Sequence, residues 1–296
     1  MHPPADETKG VAGPPGTLTL VATPIGNLDD MPARGIAVLA AADAVLCEDT
    51  RVTAKLAARH GIAPSLAALH EHNEDAMIPR VLARLAAGER LALVTDAGTP
   101  LVSDPGYRLV RAAIAAGHRV TAVPGPSAAL AALAVSGLPP APFLFLGFLP
   151  PKAGPRRARI GEIARLEAAG LGATLVLFEA PQRLGALLAD LAAGLGGERP
   201  AAVARELTKL FEEVARGTLG ALAARYAGET PRGEIVVVVG PAPPQPAAGD
   251  AIVEAMLRDA LARGLGVRDA AAAVATATGR PRREVYARAL RASGRE

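Results

Sequence analysis

The chain has 296 residues, 50% hydrophobic and 21% charged, with a formal net charge of +3; it is long enough for two packed domains and has an ordinary globular composition. One cysteine, Cys47, excludes an intrachain disulfide and a thiolate metal cluster and fits a reducing cytosol, while 3% aromatics and no tryptophan count against a protein that stacks single-stranded bases on aromatic platforms. The positive excess sits at the C-terminal end, where residues 250–296 hold nine arginines against six carboxylates, a mild pointer to an anionic partner.

Residues 1–16 lack the apolar core of a secretory signal and read as a disordered leader. From Leu18 onward, β-type and helix-type segments alternate. Strands are expected at Leu18–Thr23, Ala44–Glu48, Leu66–Leu69, Leu91–Thr95 and Arg119–Val123. Helices are expected at Pro32–Ala42, Thr53–His60, Asp75–Ala87 and Tyr107–Ala116, and Gly61 and Gly88 read as stops. This alternation predicts a mainly parallel sheet covered by helices, placed in residues 17–125. A second α/β domain is expected over 126–240. Its helices are Ser127–Ser136, a segment ending at Ala169, Arg183–Leu195 and Leu219–Ala227. Its strands are Phe143–Phe148, Ala173–Phe178, Ala201–Glu206, Phe211–Arg216 and Glu234–Val239. The apolar stretch Ala128–Leu149 is interrupted at Ser136–Gly137 and Pro139–Pro140, which argues against a membrane span. A Pro-rich linker, 241–249, precedes a helical tail, 250–296, with segments Ile252–Arg263, Val267–Ala277 and Arg282–Arg291.

The loops after the strands carry the chemistry. LVTDAGTPLVSDPGYRLV and AVPGPSA follow two strands with Gly, Pro, Ser, Thr and Asp, the material of a ligand crevice at the carboxyl ends of parallel strands, or of ordinary βα turns. Asp96 and Asp104, set within them, favour the crevice. The first loop, Thr23–Asn27, holds one glycine where a dinucleotide site would show G-x-G-x-x-G, and no P-loop occurs. A ligand without phosphates fits better. LCEDTR puts Glu48, Asp49, Thr50 and Arg51 beyond the second strand, either as a substrate-facing cluster or as a helix cap. HEHNED offers His70 and His72; the pattern favours a cap by Asn73 over a metal site, and no metal is expected, while a proton-handling role for His72 or Glu74 stays open. Lys152, Arg156, Arg157 and Arg159 form a basic loop, solvated or phosphate-binding. Arg205, Glu206 and Lys209 read as a paired cluster at a strand end, a structural salt bridge being the plain account. The tail reads helix, Gly turn, helix, with Arg280, Arg282, Arg283 and Arg288 on or near the second helix; this suits nucleic-acid contact, or a packing or dimer element.

LVATPIGNLDD, LCEDTR, HEHNE, LVTDAGTPLVSDPGYRLV, VPGPSA, GFLP, FEAPQR, ARELTK and RGEI occur in this order from Leu20 to Ile235. Together they resemble the ribosomal RNA small subunit methyltransferase I family, a branch of the tetrapyrrole methylase superfamily. The tail resembles the helical C-terminal domain often attached to that family. The resemblance implies two α/β domains of the tetrapyrrole methylase kind with a cofactor cleft between them, an appended helix-turn-helix-like domain, and a cytoplasmic homodimer. It further implies S-adenosylmethionine-dependent methylation of the ribose 2′-oxygen of a cytidine in the decoding region of 16S ribosomal RNA. The small ribosomal subunit is then the partner. Carried over by motif, the cofactor should meet Pro24, Ile25, Gly26, Asp96, Gly98, Thr99, Ser127 and Ala128, with Phe178 and Leu207 closing over the adenosine. The expected proton acceptor is Asp49 or His72, with Arg51 orienting the sugar or a phosphate. RNA is expected on Lys152, Arg156, Arg157, Arg159, Arg282 and Arg283. Rival readings are a methyltransferase on a tetrapyrrole or corrin precursor and a non-enzymatic ribosome-binding factor.

Overall fold

Alternation of side chains along the strands decides the first sheet. In the computed structural model, which describes residues 13–243 and 249–293, Leu91 and Leu93 point to one face while Ala92 and Val94 point to the other, as do Ala44 and Leu46 against Val45 and Cys47. Residues 1–12 of the expected leader and 244–248 of the expected linker lie outside the described residues. Contacts group the chain into two units, Met1–Ala242 and Pro243–Glu296.

The first sheet holds β1 (Thr17–Val21), β2 (Ala44–Cys47), β3 (Leu66–Ala68), β4 (Leu91–Leu93) and β5 (Arg119–Val123). Their order is β3-β2-β4-β1-β5 and all pairings are parallel, so each connection needs a crossover, here mostly helical. Helices α1 (Ala33–Ala41) and α2 (Thr50–Arg59) cover one face through Val38, Leu39 and Leu56. Helices α3 (Glu74–Ala86) and α4 (Tyr107–Ala115) cover the other through Val81, Leu85, Leu109 and Ala113. Parallel pairing gathers the loops after all five strands on one edge.

The chain then changes layer. Helix α5 (Ala128–Ser136) follows β5 but packs Ala129, Ala132 and Leu133 onto the second sheet, beside Val176, Ala202, Val236 and Val238. That sheet is β6 (Phe143–Phe148), β7 (Thr174–Glu179), β8 (Pro200–Arg205), β9 (Glu213–Thr218) and β10 (Ile235–Val239), in the order β6-β7-β10-β8-β9. Only β6 and β7 pair in parallel; the remaining pairs are antiparallel. Helices α6 (Ala153–Ala168), α7 (Leu184–Leu195) and α8 (Leu219–Arg225) cover its far face through Ile160, Ile163, Leu187, Leu191 and Leu222. In the second unit, α9 (Asp250–Ala262), α10 (Val267–Thr278) and α11 (Arg282–Ala292) close on Val253, Leu257, Val274, Val285 and Ala289. Gly279, at φ +65°, ends α10 in the left-handed conformation that favours glycine.

One expectation is overturned. Lys152–Arg159 is not a loop: it caps and begins α6. Pro155 does not prevent this, because a proline in the first turn of a helix sacrifices no intrahelical N–H bond. Helical spacing sends Arg156 inward, where it is 5% exposed and its Nε lies 2.7 Å from Asp190 Oδ2. Arg156 is therefore a buried structural cation and not a surface for RNA. Arg157 bonds the second oxygen of Asp190 at 2.7 Å from a 71% exposed side chain.

Removing Asp190 strands a buried guanidinium, whereas removing Arg157 loses only a solvated partner. Asp190→Ala should cost about 3–5 kcal/mol of unfolding free energy. Arg157→Ala should cost under about 1 kcal/mol. Urea titration of both variants followed by circular dichroism checks the ratio.

Candidate functional site

The loops at the carboxyl edge of the first sheet meet the second sheet around a cavity of about 380 Å³, within the range of small-molecule sites. Ile25 comes from the loop after β1, residues 96–99 and 102–104 from the loop after β4, and Ser127 and Ala128 from the start of α5. The second sheet supplies Phe148, Phe178, Glu179, Ala204, Leu207, Glu234 and Val236 among others.

Backbone bonds fix this edge. Thr23 and Gly98 exchange N–H···O bonds of 2.9 and 3.0 Å, Thr23 Oγ1 donates to Thr95 O at 3.0 Å, and Thr99 Oγ1 donates to Pro126 O at 3.2 Å. The loops after β1, β4 and β5 thus form one rim. Ser127 caps α5 by accepting from the Leu130 N–H. From the other side the 206–212 loop folds over the first loop. Thr208, at φ +67°, turns its Oγ1 to accept from the Asn27 N–H at 3.1 Å. Gly26 lies beneath it: a Cβ there would stand 2.5 Å from Lys209 Cγ and 2.9 Å from Leu207 O. Glycine is required by this approach of two backbones.

The electrostatics are one-sided. Asp96, Asp104, Glu179 and Glu234 line the cavity, and no arginine or lysine among the described residues does. Glu179 is held by Arg183 Nε at 2.7 Å and Glu234 by Lys209 Nζ at 3.1 Å. Asp96 accepts from the Asp49 N–H at 3.1 Å; burial pushes its carboxyl up, against that bond. Phe145 and Phe148 both meet Phe178 edge-on, with centroids 5.0 and 5.7 Å away, so the Phe178 ring is fixed against the wall.

Ile25, Asp96, Gly98, Thr99, Ser127, Ala128, Phe178 and Leu207, expected together from sequence, all line this cavity. Pro24 is buried and does not line it, and Gly26 faces the 206–212 loop instead. Asp49, Arg51 and His72 are also absent from the lining. Asp49 caps α2, accepting from the Arg51 N–H at 2.8 Å and from the Arg51 guanidinium at 2.6 Å. The Arg51 hydrogen bonds hold its carboxyl at about 2. The Arg51 side chain is 86% exposed, and His72 is exposed on a turn with its ring edge-on to His70. Sequence reading did not place Glu179, Glu234 or Phe148 in the cavity; only their positions at the ends of predicted strands could have suggested them. Arg205 is paired with Glu213 at 3.0 Å and Lys209 with Glu206 at 2.7 Å, the structural arrangement foreseen for that cluster.

Comparison with known proteins agrees with this geometry. Residues 17–223 match the tetrapyrrole (corrin/porphyrin) methylases, and residues 247–293 match the RsmI C-terminal HTH domain. A ribosomal RNA small subunit methyltransferase I of Mesorhizobium japonicum is 52% identical over 92% of this chain and 91% of its own length. The protein of the same name from Pseudomonas aeruginosa is 44% identical over 95% of this chain and 99% of its own. Among solved structures, a uroporphyrin-III-C-methyltransferase of Thermus thermophilus covers 76% of this chain and 94% of its own, with a TM-score of 0.53 at 23% identity. A diphthine synthase covers 76% and 90%, with a TM-score of 0.57 at 17% identity. These two likenesses concern the fold.

Gly26→Ala should force the 206–212 loop off the first loop, costing about 1–3 kcal/mol as overpacking does. Gly154→Ala on α6, where a Cβ meets nothing within 4 Å, should be neutral or slightly stabilising. Amide exchange at Asn27 and Thr208 reads the difference: it should quicken in the first variant and stay unchanged in the second.

Proposed function

The chain belongs to the tetrapyrrole (corrin/porphyrin) methylase family, in its ribosomal RNA small subunit methyltransferase I branch, and from that premise we propose that it methylates a ribose of small-subunit ribosomal RNA. The donor is S-adenosylmethionine, and the acceptor is the 2′-oxygen of a cytidine in the decoding region of 16S ribosomal RNA. The cytoplasmic setting and the homodimer belong to the same proposal.

The observation that carries it is the cavity lining. Phe178, Leu207, Ile25 and Val236 offer apolar walls for a purine, and carboxylates take the place that arginine or lysine would hold around a phosphate. A nucleoside ligand without phosphates and with a positive centre suits that set. When bound, S-adenosylmethionine supplies a methyl group on a positively charged sulfur. The protein's own contribution is then orientation: the rim built by Thr23, Gly98, Thr99 and Ser127 fixes one reactant, and rates in displacement reactions depend on such alignment. The 206–212 loop, seated on Gly26 and Asn27, limits water at the donor side.

The polyanion needs cationic surface elsewhere. Arg282 and Arg283 are exposed on the first turn of α11, and Lys152, Arg157 and Arg159 are exposed around the start of α6. Arg51, exposed at the carboxyl edge of the first sheet, is suited to orient a sugar or phosphate near the cavity.

Calorimetry should show S-adenosylmethionine binding at one site per chain, and mass mapping should place a new ribose methyl group on small-subunit RNA treated with the protein. Failure of binding in the presence of small subunits overturns the reading. Replacing Arg282 and Arg283 by alanine should flatten the dependence of log affinity on log salt by about 1–2, as expected for two lost phosphate contacts, and leave donor affinity unchanged. An unchanged slope removes α11 from the RNA footprint.

A further inference from the structure

Among the described residues, one carboxylate of the cavity is held by neither a cation nor a backbone N–H. Glu179 is held by Arg183, Glu234 by Lys209, and Asp96 by the Asp49 N–H. Asp104 has neither an ion pair nor a backbone N–H bond among the described residues, yet it lines the same space.

The chain takes unusual conformations to put it there. Leu101 and Ser103 have φ of 73° and 71°, the left-handed region that residues with a Cβ seldom enter. Gly106, at φ 113°, lets the loop close against Leu93 and Leu101; a Cβ there would stand 2.8 Å from Leu93 Cδ2. The second sheet meets the same loop at the bulge in β6, where a Cβ on Gly147 would come within 3.2 Å of Ser103 Oγ. Asp104 is therefore gripped between contacts from both sheets, at the centre of the carboxyl edge, because β4 is the middle strand of its sheet.

We propose that Asp104 takes the proton of the ribose hydroxyl while the hydroxyl oxygen is methylated, a step that rests on the reading of this cavity as the methyl-donor site. The oxygen–carbon bond forms as the carbon–sulfur bond breaks, and the broken bond's electron pair goes to sulfur, which becomes a neutral thioether. The O–H bonding pair stays on the ribose oxygen as its proton passes to an Asp104 carboxylate oxygen, and from there to water. The sulfonium loses its charge, one proton is released, and nothing is oxidised or reduced.

The surroundings suit this task. Burial pushes the Asp104 carboxyl up, the Thr95 hydroxyl opposes it, and repulsion from Glu48 and Asp96 adds to it, bringing it to about 6. The groups that face it are Thr95 and Asp96 from its own loop and Glu48 from the end of β2; Glu179 and Glu234 share the cavity from the second sheet. A carboxylate so placed is ionised at neutral pH and still a usable base. Asp49, held at about 2 by Arg51, is a much weaker base.

The test is single-turnover transfer of labelled methyl from S-adenosylmethionine to small ribosomal subunits between pH 5 and 8, with ribose mapping of the product and calorimetry of donor binding. The wild type should rise about tenfold per pH unit below a break near 6 and level above it. Asp104→Asn should lose about 10²–10⁴-fold of the rate and lose the break. Donor affinity should fall by less than about tenfold, because Asp96, Glu179 and Glu234 still line the cavity, and Asp104→Glu should keep the break at an intermediate rate. An Asn variant with wild-type rate, a break that persists in it, or a tenfold loss of donor affinity each overturns the assignment while the reading of the cavity stands. A wild type that binds no donor or methylates no ribose overturns both.

Discussion

Everything at the site depends on a single close approach: the loop after β1 lies directly under the 206–212 loop, with glycine at position 26 because Lys209 and the Leu207 carbonyl fill the space of a side chain. This is where two differently built sheets are registered on each other. The contact is supported from both directions. Asn27 donates to Thr208, and Ile25, the residue before the glycine, inserts into the apolar layer formed by Val176, Ala204 and Val236 of the second sheet. A parallel sheet supplies loops on one edge, and an antiparallel sheet supplies a broad apolar face; the cavity exists because the clasp brings the two together. Packed interiors of this kind tolerate little added volume, so the cavity inherits its shape from the clasp.

The sequence made the first half of the molecule legible and parts of the second half misleading. Leu91–Val94 and Ala44–Cys47 are short, continuous apolar runs within a β/α alternation, the pattern of strands buried on both faces. The Gly- and Pro-rich loops after β1, β4 and β5 read as one crevice, and Ile25, Asp96, Gly98, Thr99, Ser127 and Ala128 line one cavity. Asp49 was ambiguous for a physical reason. An aspartate before a helix can equally cap it or face a ligand, and here the cap geometry and the Arg51 guanidinium claim both of its oxygens. Lys152–Arg159 misled because density of charge suggests solvent exposure, whereas one arginine in that run meets Asp190 in the interior. A buried ion pair between two helices leaves no trace in a single sequence. The cavity carboxylates of the second sheet, Glu179 and Glu234, stayed hidden likewise, because their placement depends on which strands adjoin.

The carboxylates of the rim illustrate how position sets chemistry for one side-chain type. Asp49 and Asp96 are joined through a single hydrogen bond, yet they move in opposite directions: guanidinium bonds draw the first down, and burial raises the second. Asp104, half-buried and without a cation partner among the described residues, is raised to about 6. Along the edge of the sheet the carboxylates therefore differ by their own surroundings: Asp49 is drawn down by Arg51, while burial raises Glu48, Asp96 and Asp104. Environments that drive like groups apart in this way are the usual means by which an active site assigns distinct roles to them.

The carboxylate lining also bears on the division of charge within the protein. A site lined by Asp96, Asp104, Glu179 and Glu234, with no arginine or lysine among the described residues, repels a polyanion, so phosphates are disfavoured at the cavity itself. The cations suited to grip it are residues outside the lining, such as the exposed Lys152, Arg157 and Arg159 around the start of α6. Separate placement has a kinetic merit. Phosphate contacts are strong, long-ranged and indifferent to sequence, so they can hold an RNA without specifying the group that enters the cavity. The two requirements, attraction to a polyanion and a negatively charged pocket, oppose each other within one cleft and are reconciled by separation along the chain.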